Sequence, residues 1–131
     1  MRTVESSHTI TFDCKYHVVF CPKCRRKVLV KGVNVRLKDL LNSKARELLA
    51  DIVEMDVRPD HVHLFIQCDP PFGIHRVVKR LKGYTSHVLR QEFPSLTRKL
   101  PSLWTNSYCV ATVGAVQLDV VKRYIEDQKG Q

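Results

Sequence analysis

RPDHVHLFIQC, residues 58–68, carries two patterns at once. Val62, Leu64, Ile66 and Cys68 alternate with His61, His63, Phe65 and Gln67. A period of two marks a strand with one face in a core. In front of it, Arg58-Pro59-Asp60 reads as a tight turn. The proline ring fixes its own φ and biases Arg58 towards extended geometry. The preceding DIVEMDV, 51–57, reads as another strand, so the two are predicted to form an antiparallel hairpin.

Working outward, TITFDCKYHVVFC (9–21) is rich in β-branched and aromatic residues and reads as a first strand. CPKCRRKVLVKG (21–32) follows as a basic loop or strand extension. Between about Val35 and Ala50, Leu37, Leu40, Leu41, Ala45, Leu48 and Leu49 recur at helical spacing. A second helix is predicted from about Gly73 to Glu92, with Ile74, Val77, Val78, Leu81, Val88 and Leu89 as its apolar stripe, interrupted by Tyr84 and Thr85. PSLTRKLPSLWTN (94–106), with two prolines, reads as a loop. SYCVATVG (107–114) reads as a fourth strand, and a short helix is expected from about Val116 to Gln128. The order βαββαβα predicts an α+β, ferredoxin-like or RRM-like domain over residues 1–131. Its antiparallel sheet carries helices on one face, with an additional C-terminal helix.

The chain has 131 residues, 44% of them apolar, which suits a single domain with a substantial core. No apolar run reaches membrane-spanning length, and the first residues lack the apolar block of a secretion signal. A cytoplasmic protein without a membrane partner is expected. Lys and Arg number 22 against 13 Asp and Glu, a formal charge of +9 that favours polyanions, nucleic acid first among them. The five cysteines have no disulfide rhythm. Cys21 and Cys24 have the spacing of half a zinc knuckle, but no second pair follows.

His61 and His63, on the face opposite the apolar row, can each offer a nitrogen to one metal ion. Two imidazoles are too few for a metal site, and H-x-H is short enough to recur by chance. The terminal helix supplies further candidates. Leu118, Val121 and Ile125 form its predicted apolar stripe, and Tyr124 and Gln128, four residues apart, share a neighbouring face. A phenol can act as nucleophile and an amide oxygen suits a hard cation. Lys23, Arg25, Arg26 and Lys27 in the loop, with Arg76, Lys79, Arg80 and Lys82 on the second helix, are candidate contacts to nucleic-acid phosphates. Trp104 and Tyr84 are candidates for stacking on unpaired bases.

PDHVHLF (59–65), VKRLKGYTSHVLR (78–90), LWTNSYCVATVG (103–114) and VKRYIEDQ (121–128), in this order, resemble the TnpA-type single-tyrosine HUH transposases of small bacterial and archaeal insertion sequences. The name HUH denotes His, hydrophobic, His, here His61-Val62-His63. The resemblance implies a metal-dependent endonuclease and strand transferase that cleaves and rejoins single-stranded DNA at hairpin-bearing element ends through a 5′-phosphotyrosine. It implies Tyr124 as nucleophile, and His61, His63 and Gln128 as ligands of Mg²⁺ or Mn²⁺. Two neutral imidazoles and an amide bring no charge, so the scissile phosphate would supply the anionic ligand. The resemblance further implies a homodimer, paired through the fourth strand, in which the tyrosine helix of one subunit can complete the other's site. Cys24 stands where the family leads one to expect an aromatic residue. Only three residues follow Gln128, a short end expected to loosen the last helix. Two other readings remain: a domesticated relative that processes palindromes, and a non-catalytic RRM-like binder of single-stranded nucleic acid.

Overall fold

Val62, Leu64, Ile66 and Cys68 are all at most 1% exposed, while His61, His63 and Phe65 on the opposite face are half-buried. The strand that carries them, β3 (His61–Cys68), has the predicted bounds. The computed structural model describes residues 14–69, 73–112 and 118–128, with the backbone alone for 118–122. The remaining elements are β1 (Cys14–Phe20), α1 (Val33–Glu47), β2 (Ala50–Arg58), α2 (Ile74–Glu92), α3 (Pro94–Lys99), β4 (Cys109–Thr112) and α4 (Leu118–Asp127).

The strands form one antiparallel sheet in the order β2-β3-β1-β4, the ferredoxin-like arrangement. β1 and β3 lie at its centre. Their register sets Val18 opposite Leu64 and Phe20 opposite Val62, all facing the core. α1 adds Leu37, Leu40, Leu41 and Ala45 to that core, and α2 adds Ile74, Val77, Val78, Leu81 and Leu89. β2, at one edge, carries a bulge between Ile52 and Glu54 that leaves Val53 half exposed. Such an interruption guards an edge against further strand pairing.

Several boundaries differ from the sequence prediction. α1 starts two residues early, after Gly32 in the left-handed region at φ 97°, and ends at Glu47. It stops there because Ala50 is already paired with Cys68, and Leu49 at φ 59° makes the turn between them. Pro94–Lys99 is a helix rather than loop. Pro94 occupies its first turn, where the missing N–H costs nothing, and Leu96 and Leu100 are drawn into the core. β4 covers the middle of the predicted 107–114. Residues 9–13, 113–114 and 116–117 of the predicted elements lie outside the described residues, as do the side chains of Leu118 and Val121.

Trp104 is core, which removes it as a base-stacking platform. It is 5% exposed, meets Phe20 edge-on at 4.7 Å and donates its indole N–H to Thr85 Oγ1 at 3.1 Å. That bond explains the polar residue in the α2 stripe: Thr85, completely buried, also donates to Leu81 O at 2.8 Å. Tyr84 is partly buried, with the Lys44 ammonium 4.8 Å from its ring centroid.

Leu81→Ala should cost about 2–5 kcal/mol of unfolding free energy through a cavity between α2 and the sheet. Val35→Ala, on the exposed side of α1, should stay within about 0.5 kcal/mol. Urea midpoints at unchanged slope test both expectations.

Candidate active site

The sheet face opposite α1 and α2 carries His61 and His63, and each imidazole has a partner. Asp60, the last residue of the turn, places Oδ1 2.9 Å from His61 Nδ1. A carboxylate only accepts, so Nδ1 carries the hydrogen, and in the neutral ring Nε2 keeps the lone pair. His63 Nε2 lies 3.0 Å from His17 Nδ1. His17 reaches it because β1 sets His17 opposite Phe65, on whose ring it stacks with centroids 5.0 Å apart. Burial, with smaller effects of His17 and His61, lowers the His63 pKa, although Asp56 and Glu54 oppose the shift. His63 is thus held neutral at pH 7, the form that ligates metals.

α4 packs against β1, and Arg123 to Gln128 bring the second pair of candidates to one hydroxyl. Ser107 Oγ, on the loop before β4, donates to Gln128 Oε1 at 3.0 Å and lies 3.2 Å from the Tyr124 phenol oxygen. A serine has one proton. With it directed at the amide oxygen, the phenol is the donor to Ser107. Burial raises the Tyr124 pKa, partly offset by the hydrogen bond to Ser107, so the phenol is protonated at neutral pH. Gln128 is 4% exposed, and its oxygen retains a second lone pair.

Ser107 is in turn held by α2. The Lys82 ammonium donates to the carbonyls of Thr105 at 2.7 Å, Asn106 at 3.4 Å and Ser107 at 3.1 Å. It also sits 5.2 Å from the Tyr108 ring centroid. Burial pushes its pKa down to about 8. Lys82 therefore shapes the loop that presents Ser107, instead of standing free for a phosphate. Arg25 is similarly turned inward, with Nε 3.0 Å from Asp60 Oδ2 and Nη1 donating to Ile125 O at 3.1 Å. Of the other predicted phosphate contacts, Arg26, Lys27, Arg76, Lys79 and Arg80 are exposed, and Lys23 partly so.

The donor set fits a cation in part. His61 is oriented by a carboxylate through the ring nitrogen that would not ligate, the usual outer-shell arrangement of metal-bound histidine. Among the described residues, no three His, Cys, Asp or Glu side chains are grouped to hold a metal ion. His61 and His63 alone are two donors, and the Gln128 amide oxygen is engaged by Ser107. In the CPKC stretch, Cys21 is fully buried, its thiol pushed up to about 12, while Cys24 is exposed.

With this geometry in hand, residues 10–128 match the family described as IS200-like transposases. The chain belongs to that family. It is 37% identical to the ISDra2 transposase TnpA of Deinococcus radiodurans over 119 residues, 89% of this chain and 85% of that protein. It is 30% identical to the transposase of insertion sequence IS200 from Salmonella typhimurium over 128 residues, 94% and 84% of the two chains. A crystal structure of a transposase from Deinococcus radiodurans R1 superposes with a TM-score of 0.88 at 34% identity, covering 97% of this chain and 99% of that one. A REP-associated tyrosine transposase bound to a REP hairpin shares the fold alone, at a TM-score of 0.58 and 12% identity over 92% and 66% of the chains. No helix among the described residues is long and apolar enough to cross a membrane.

Sequence reasoning brought together His61 with His63 and Tyr124 with Gln128, but missed His17, Asp60 and Ser107 as their partners. Asp60 was within reach, since an acid directly before H-x-H can turn back onto the first ring. His17 needed the β1/β3 register, and nothing in the sequence singles out Ser107.

The Lys82 clamp has a pH signature. Its folded pKa of about 8 lies below the reference 10.5, so between these values the unfolded chain binds more protons and stability rises with pH. Below about pH 8 the cost of burying the charge is fully present. Unfolding free energies of the wild type and Lys82→Met, measured from pH 7 to 10.5, should therefore draw apart in favour of the wild type as pH rises through this window.

Proposed function

We propose that this protein cleaves and rejoins single-stranded DNA at the hairpin-bearing ends of a mobile element, with Tyr124 as nucleophile. One observation carries the reading. The helix that presents Tyr124 and Gln128 is tied through Arg25 to Asp60, and Asp60 holds His61. The backbone beside the phenol is thereby connected to the first of the two histidines, while His63 is held separately by His17. The Salmonella and Deinococcus relatives named as transposases, and the hairpin held by the distant neighbour of the same fold, agree with a DNA substrate of this kind.

His61 and His63 would hold a divalent cation, Mg²⁺ or Mn²⁺, with the amide oxygen of Gln128. When bound, that ion supplies polarisation of a phosphoryl oxygen and orientation for in-line displacement. Tyr124 forms the new bond to phosphorus, its proton departs and the 3′ oxygen leaves as a hydroxyl. The product is a 5′-phosphotyrosine. Phenolate is a better leaving group than an alkoxide, so a later 3′-OH displaces it without an external energy source. The phenol reaches this step protonated, its O–H directed at Ser107. The exposed Arg26, Lys27, Arg76, Lys79 and Arg80 carry the backbone contacts that steepen the salt dependence of binding.

The active species is a homodimer. Among the described residues β4 is the outer strand beside β1, four residues long, with β1 as its one neighbour in the sheet. Pairing it with its symmetry mate removes an open edge.

Tyr124→Phe should reduce covalent protein–DNA adducts to background while hairpin binding stays within about twofold, since only one hydroxyl is lost. Adducts are read by denaturing gel with labelled single strands from palindromes flanking the gene. Adducts formed undiminished would reject Tyr124. His61→Ala should lower cleavage by at least the roughly 10–100-fold that loss of an outer-shell partner costs a metal site. Cleavage indifferent both to that change and to chelator would reject the metal role.

A further inference from the structure

Arg25 lies in the most basic run of the chain, Lys23 to Lys27, where a side chain open to solvent would be the ordinary outcome. Its side chain is instead 17% exposed, and that of its partner Asp60 16%. Nε meets Asp60 Oδ2 at 3.0 Å, and Nη1 meets Ile125 O at 3.1 Å. Asp60 gives its other oxygen to His61 Nδ1 at 2.9 Å. Ile125 directly follows Tyr124, so an unbroken run of three polar contacts connects the backbone of the tyrosine helix to the first histidine.

The backbone beneath Arg25 is arranged for this reach. Cys24 and Arg25 are consecutive non-glycine residues in the left-handed region, at φ 58° and 51°. L side chains rarely adopt that conformation, and it persists only where the surroundings impose it. Here they do. The turn closes through Arg25 N–H to Pro22 O at 2.7 Å and is anchored by Lys23 N–H to Leu103 O at 2.8 Å. Pro22 also bridges to the buried Trp104. A relaxed turn would send the guanidinium elsewhere.

A phosphate-binding arginine keeps its fork of donors open. Here two donors are committed, the charge is matched by Asp60, and the carbonyl at the other end belongs to the last turn of α4, where a cation is favoured. We infer that Arg25 is a positioning residue: it sets the tyrosine helix in register with the histidine pair and, through Asp60, the ring orientation of His61. Because one guanidinium serves both, undocking α4 loosens Asp60 and His61 together, and disturbing Asp60 loosens the helix. This coupling is reciprocal. Its consequence for cleavage rests on the function proposed above, but the contacts do not.

The test uses the full chain without metal or DNA, in wild type, Arg25→Gln and Arg25→Lys. Hydrogen exchange reports the amides of residues 123–128, and long-range ¹H–¹⁵N spectra report the His61 tautomer. Arg25→Gln should speed exchange at 123–128 by about tenfold, as expected on losing a charge-assisted hydrogen bond, with β1 and β3 unchanged. The Nδ1–H tautomer of His61 should lose population in the same variant. Arg25→Lys, which keeps the charge without the fork, should fall between and remains informative should the glutamine variant not fold. If α4 exchange and the His61 tautomer match the wild type in both variants, the inference is overturned. A salt slope of DNA binding reduced by about one would then make Arg25 a phosphate contact. Because this readout needs no DNA, its failure is separable from that of the nucleophile assignment, which the adduct assay decides.

Discussion

The antiparallel ladder between Cys14–Phe20 and His61–Cys68 has a period of two, and that period sorts the chemistry of this protein. On one side it sends Val18, Phe20, Val62, Leu64 and Ile66 into the core beneath α1 and α2. On the other it lines up His17, His63 and Phe65 within ring contact. A slip of one residue would bury the imidazoles among leucines and expose the apolar row, so the core enforces the register that makes the site. The β2/β3 pairing adds the turn from which Asp60 reaches His61.

Around this ladder the histidine pair is flanked by two carboxylates of β2, Glu54 and Asp56. His63 is held neutral by burial and its neighbouring imidazole, and Tyr124 keeps its proton because it is shielded from water. Arg25 and Asp60 offset one another. The chain as a whole carries +9. Long-range attraction for a polyanion is compatible with these local carboxylates, since the surface lysines and arginines act over a Debye length and the site over a hydrogen bond.

The parts legible in the sequence are those governed by periodicity. β3 could be read to the residue because alternation has no competing explanation over eight positions, and the α2 stripe because its apolar residues recur every three or four. Tyr124 and Gln128 were legible as a pair through helical spacing. What escaped were contacts made across long separations. His17 meets His63 only through strand register, and Arg25 meets Ile125 only because a left-handed turn aims it. Composition misled where a residue type has two uses. Lys82 and Arg25 look like phosphate contacts in a basic run, and Trp104 like a stacking platform, until their partners are seen to be carbonyls, a carboxylate and a buried threonine. Two prolines suggested an irregular 94–106, yet a proline in the first turn begins a helix as readily as it ends one.

Lys82 shows why Ser107 can serve two partners. An isolated Ser-Tyr step before a strand would run straight into the ladder, extending β4 by two residues and carrying Ser107 away from α4. Three successive carbonyls gathered onto one ammonium prevent this, because carbonyls of adjacent residues point the same way only where the backbone departs from extended geometry. The loop is thus bent at Thr105–Ser107, β4 begins only at Cys109, and Ser107 stays beneath the last turn of α4. Burial of a charged amine is unfavourable, as its lowered pKa records, and three acceptors offset that cost. The same ammonium, by fixing the loop, places one hydroxyl within reach of both Tyr124 and Gln128. The neighbouring Thr105 hydroxyl, donating to Ser107 O at 3.2 Å, stiffens the same bend. The placement of the phenol therefore depends on a lysine from the opposite side of the core as much as on the helix that carries it.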